Sequence, residues 1–96
     1  MPMDKQLVVA ALMRKGFRLR QGDHEFYTYY TPGGKRTAIF TKASHSHKVI
    51  PKVLMGLMAR QCKLTAGEFH ELVDCTLSRE GYDVLLRERG YLAERD

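Results

Sequence analysis

Cysteine is scarce in this sequence, and long apolar runs are missing altogether. Two cysteines, Cys62 and Cys75, in 96 residues are too few for a disulfide framework. Both fall in amphipathic helical patterns, which predicts small, reduced core residues of a cytoplasmic protein. Neither has a second Cys or His close by at metal-site spacing, so no metal or other cofactor is expected. No stretch reaches the roughly 20 apolar residues that span a membrane. The opening Met1-Pro2-Met3-Asp4-Lys5-Gln6 lacks the charged-then-apolar layout of a signal peptide. No internal repeat, low-complexity tract or linker divides the chain. These absences predict a single domain over residues 1–96, near the lower size limit for a self-supporting core.

What is present is apolar enough to fold and basic enough to attract. Hydrophobic residues make up 44% of the chain, too many for a disordered one. A formal net charge of +5 favours an acidic partner: nucleic acid, an acidic protein or an anionic membrane surface. An indifferent basic surface would look the same in composition.

Residues 4–15 read as a helix, with Asp4 as N-cap, an apolar stripe of Leu7, Val8, Ala11 and Leu12, and Gly16 as the stop. Met1 to Met3 are expected to fray. A strand follows over about 17–21, with Phe17 and Leu19 inward and Arg18 and Arg20 outward. Gly22-Asp23 turns the chain into a second strand over about 24–31. That strand is aromatic on both faces. Placing Tyr27 and Tyr29 inward leaves His24, Phe26, Thr28 and Tyr30 towards solvent. Pro32-Gly33-Gly34 is a turn signal, and Thr37, Ala38, Ile39 and Thr41 suit a third strand over about 35–41. Residues 42–50 read as a basic, hydroxyl-rich connection. Pro51 opens a helix to about residue 62, with Leu54, Leu57, Met58 and Cys62 as its stripe. Thr65-Ala66-Gly67-Glu68 matches a capping box ahead of Phe69, Leu72 and Val73. A last helix, about 79–89, carries Tyr82, Leu85 and Leu86 and stops at Gly90. The fold class is therefore α+β: an α-β-β-β-α unit with a three-stranded antiparallel meander, and one or two extra C-terminal helices. With the helices on one sheet face, the other stays open and carries Arg18, Arg20 and His24.

His24 is the leading candidate for chemistry. A neutral imidazole can take the proton of an RNA 2′-hydroxyl, and such acid–base help contributes about 10²–10⁴-fold. Arg18, Arg20 or Lys42 can offset the charge that builds on the phosphate oxygens. Taken by spacing alone, His24 is equally an ordinary surface histidine. His45 and His47 form a His-x-His pair. In an extended segment both rings face one way, which suits a metal. A phosphate-contacting loop with Ser44, Ser46 and Lys48, or a merely solvated one, fits the same residues. His70 reads as a helix-surface residue. Phe26, Tyr27, Tyr29 and Tyr30 either stack on unpaired bases or fill the core, and Phe26 shares a face with His24.

At these residues the sequence resembles the HicA family of toxins, mRNA-cleaving partners in HicA–HicB toxin–antitoxin modules. The matching features are Arg14-Lys15-Gly16-Phe17, Gly22-Asp23-His24 before an aromatic strand, and Gly34-Lys35-Arg36-Thr37 leading into a strand. A histidine-bearing loop, the helix end Met58-Ala59-Arg60-Gln61-Cys62-Lys63-Leu64-Thr65 and Glu68-Phe69 complete the match, which covers about 4–72. The resemblance implies a double-stranded-RNA-binding-domain-like fold and a metal-independent endoribonuclease with His24 as catalytic base. Arg18, Arg20, Phe26, Lys42, His45, His47 and Lys48 would contact RNA, and a HicB-like antitoxin would be the protein partner. The family usually has Gly-Ser-His where this chain has Asp23, a carboxylate able to orient the imidazole but also to repel phosphate. The family's later histidine corresponds to His45 or His47. The tail beyond about 72 is free to cover the active face or to form a homodimer or partner surface. The competing readings are a non-catalytic RNA-binding module and a protein-interaction subunit on the same fold.

Overall fold

The first apolar stripe starts where Asp4 can cap it. In a computed structural model, which describes residues 3–45 and 48–93, the Asp4 carboxylate accepts from the Gln6 N–H at 2.8 Å. Helix α1 (Lys5–Arg14) then buries Val8, Ala11 and Leu12. Gly16, at φ +100°, turns the chain directly into a strand.

Strands β2 (Phe17–Gln21), β3 (Glu25–Tyr30) and β4 (Arg36–Ala43) form an antiparallel sheet in the order β2-β3-β4. The register pairs Leu19 with Tyr27 and Thr28 with Phe40, with an irregularity between Thr28 and Tyr30. Helices α2 (Lys52–Gln61), α3 (Ala66–Val73) and α4 (Arg79–Glu88) follow. Side-chain alternation decides the rest: Phe17, Tyr27, Tyr29, Ile39, Thr41 and Ala43 are buried on the inner face, beneath the helices. No helix of the described residues lies over the opposite, outer face, where Arg18, Arg20, Arg36, Phe40 and Lys42 are exposed. This is the α+β, α-β-β-β-α arrangement with added C-terminal helices that the sequence patterns predict.

Helix α4 of the C-terminal extension packs into the core, and the residues after it, Tyr91 to Ala93, share a pocket with Arg36 and Ala38 of β4. Tyr82 of α4 lies fully buried against Phe17 and Tyr29, with ring centroids at 5.8 and 5.1 Å. Such aromatic pairs contribute about 0.5–1.5 kcal/mol beyond the area they bury. The Tyr82 hydroxyl donates to the Cys62 carbonyl at 2.8 Å, and the Tyr29 hydroxyl donates to the Asp83 carboxylate at 2.5 Å. Arg79 donates to the carbonyls of Tyr30 and Thr31, tying α4 to the end of β3. Lys15, itself buried, donates to the Leu72 and Leu77 carbonyls where α3 ends.

Several expectations need correction. His24 lies in the connection between β2 and β3, one residue before the strand, because Gln21 pairs with Glu25 and leaves 22–24 as the turn. Leu19 is 39% exposed, since α1 does not reach over it. Within 42–50 the chain is not all connection: β5 (Val49–Ile50) pairs antiparallel with β1 (Met3–Asp4), so Met3 is held in a strand. Strand β4 extends to Ala43, and Pro51 caps α2 from outside it. Leu57 is exposed, and Met55 and Ala59 take its place in the core. Cys62 is buried and burial pushes its thiol up, but Cys75 is exposed in the α3–α4 connection at φ +73°.

Candidate nucleic-acid interface

The outer face is built by period-two alternation on three neighbouring strands. From β2 it takes Arg18 and Arg20; from β3, Phe26, Thr28 and Tyr30; from β4, Arg36, Ala38, Phe40 and Lys42. The register sets these in rows, with Phe26 between Arg20 and Lys42 and Thr28 between Arg18 and Phe40. Each arginine of β2 lies over an aromatic ring. The Arg18 guanidinium is 4.0 Å from the Tyr30 centroid and that of Arg20 is 5.0 Å from Phe26. A guanidinium resting on a ring engages it through its face, and its N–H donors suit phosphate oxygens. Phe26 and Phe40 stand 6.1 Å apart, and between Arg20 and Arg36 they line a shallow groove of about 290 Å³.

His24 sits at one end of this strip. Its ring meets Phe26 edge-on at 6.5 Å and is exposed to solvent. It makes no side-chain hydrogen bond to any described residue, and Asp23 forms no ion pair with it. His24, Arg18, Arg20, Phe26 and Lys42 therefore share one face.

No protein-family model, curated protein or solved structure matches the chain.

His45 and Lys48 lie elsewhere, by a groove of about 680 Å³ between α1 and the inner side of β2 and β3. The His45 ring is occupied: Nε2 is 3.1 Å from the Gly22 carbonyl and Nδ1 is 3.3 Å from a Glu25 carboxylate oxygen. Glu25 also receives Lys5 Nζ at 2.9 Å and the Tyr27 hydroxyl at 2.8 Å. Burial would raise its carboxyl, but the bonds from Lys5 and Tyr27, with the charge on Lys5 and His45, outweigh it and hold the group below the usual carboxylate range. His45 thus fastens the turn that carries His24 to the segment after β4. It does not face the outer strip as a phosphate ligand would. His47, the other half of the His-x-His pair, lies outside the described residues. Among the described residues no group of three His, Cys, Asp or Glu side chains is placed to hold a metal ion. His70 pairs with Asp74 on α3 at 3.7 Å.

Tyr30, read from the sequence as a stacking candidate, shares the strip, and so do Arg36 and Phe40, which were not read as site residues. Stepping back in twos from Lys42 reaches Phe40, Ala38 and Arg36, so the signal was there in the alternation.

Proposed function

We propose that this protein is a HicA-like endoribonuclease that binds single-stranded mRNA on the outer sheet face and uses His24 as general base. The observation that carries this reading is an exposed imidazole at the end of a strip of stacked arginines and aromatics, with no described helix above it. Arg18, Arg20 and Lys42 hold the sugar–phosphate chain, and the Phe26–Phe40 groove stacks an unpaired base. The His24 imidazole takes the proton of a 2′-hydroxyl, whose oxygen attacks the adjacent phosphorus. The P–O5′ bond breaks, the departing oxygen takes a proton from water, and the products are a 2′,3′-cyclic phosphate and a 5′-hydroxyl end. The arginines offset the charge on the non-bridging oxygens as the bond order changes. A HicB-like antitoxin would restrain this activity by occluding the same face, in the cytoplasm.

One observation favours a second reading. No described side chain orients the His24 ring as a catalytic base is usually oriented, which suits a non-catalytic RNA-binding module. Incubating an unstructured transcript with wild type and with His24→Ala, both in EDTA, decides between them. The nuclease reading expects cyclic-phosphate ends from wild type and intact, bound RNA with the variant. Binding by both without cleavage would establish the module instead.

A further inference from the structure

Among the described residues strand β2 pairs only with β3 and forms an edge of the three-stranded sheet. Backbone groups of an antiparallel strand alternate between partner and free edge. The Tyr30 N–H donates to the Gly16 carbonyl and the Gly22 N–H to the His24 carbonyl. Even-numbered residues of β2 therefore face β3, and the N–H and C=O groups of Leu19 and Gln21 point outwards from the edge. Two observations separate this edge from the one on β4. On β4 the inward side chains Ile39, Thr41 and Ala43 are at most 4% exposed, whereas the inward Leu19 of β2 is 39% exposed. The space beside Leu19 is the 680 Å³ groove, where Val9, Ala10 and Tyr27 give apolar lining and Lys5, Glu25, His45 and Lys48 polar lining. The other flank carries Arg18 and Arg20, which bracket Leu19 on the solvent side.

We propose that β2 accepts an extended segment of a partner protein as a fourth strand, one whose residues alternate between apolar and acidic. Its backbone bonds to Leu19 and Gln21, its apolar side chains enter the groove over Leu19, and its carboxylates meet Arg18 and Arg20. Charge complementarity selects the acidic face and the groove selects the apolar one. This surface does not depend on RNA cleavage, because its function is read with a peptide and no RNA. An acidic strand here would also neutralise two cations of the outer face.

The test uses the full chain and a fluorescent, N-acetylated peptide alternating Glu with Val and Leu. Binding is followed by anisotropy and by amide exchange in NMR. The expected result is binding that protects the Leu19 and Gln21 amides. N-methylating the alternate peptide amides that face β2 should weaken binding roughly tenfold or more, as loss of two backbone bonds implies. Leu19→Asp, at a position already part-exposed, should weaken it as well while leaving the circular dichroism spectrum unchanged. No binding, or binding indifferent to N-methylation with both amides unprotected, would overturn the proposal.

Discussion

If the outer face holds RNA by its phosphates, the salt dependence of binding should count its cations. Arg18 and Arg20 of β2 and Arg36 and Lys42 of β4 project on that side. Single-stranded nucleic acid releases about 0.7 counterion per neutralised phosphate, so four engaged cations give a slope of about −2.8 in log K against log salt. Raising salt from about 50 to about 200 mM should then weaken binding about 50-fold. Arg20→Gln removes one charge beside Phe26, and the slope should fall to about −2.1, leaving a loss of about 18-fold over the same range. Arg60→Gln, on α2 at the helical side of the molecule, removes the same formal charge and should leave the slope unchanged. Anisotropy titrations of a labelled, unstructured RNA provide the readout, in a His24→Ala background so that no strand is cut. A slope near zero would refute RNA binding by this face. An equal change with Arg60→Gln would refute its location.

Three further expectations concern the frame behind the strip. Gly16→Ala sets a methyl 2.8 Å from Arg79 Nε at a φ of +100°, so it should cost about 1–3 kcal/mol and lower Tm by roughly 5–15 °C in a thermal melt. Tyr29→Phe removes the hydroxyl donated to buried Asp83 and should destabilise by about 1–3 kcal/mol in urea unfolding; a change below the experimental error would show that Asp83 is satisfied by Arg87 alone. The two-pronged hydrogen bonds from Arg89 hold the Glu68 carboxyl down at about 2. A depressed folded-state pKa stabilises above the unfolded value and is lost as pH falls through the folded one. Stability should therefore decline between about pH 4.5 and pH 2, and Glu68→Gln should flatten that decline; an identical acid limb in the variant would count against the pair.

The elements with strong local signals were legible in the sequence. Asp4 and Thr65 announce helix starts by side chains that bond nearby backbone, and the Thr65–Glu68 capping box forms as read. The phase of β3 was harder, because both its faces are aromatic. Tyr27 and Tyr29 are inside because their hydroxyls find Glu25 and Asp83, partners 2 and 54 residues away. Long-range geometry accounts for what stayed hidden. The β1–β5 pair joins residues 3–4 to 49–50, and nothing in two-residue strands signals such a partner. Cys75 falls in a helical pattern by spacing, yet the chain turns there through positive φ. His45 reads as a phosphate ligand in a basic loop, and only the fold reveals that Gly22 and Glu25 occupy both its nitrogens.

Tyr82 has a consequence for when the molecule becomes whole. A chain made from its N-terminus delivers this ring after the described strands and the helices α1, α2 and α3. Until it arrives, Phe17 and Tyr29 lack the ring that packs against both of them. The sheet that carries the strip is thus closed from beneath by a side chain that the chain supplies only after the sheet itself.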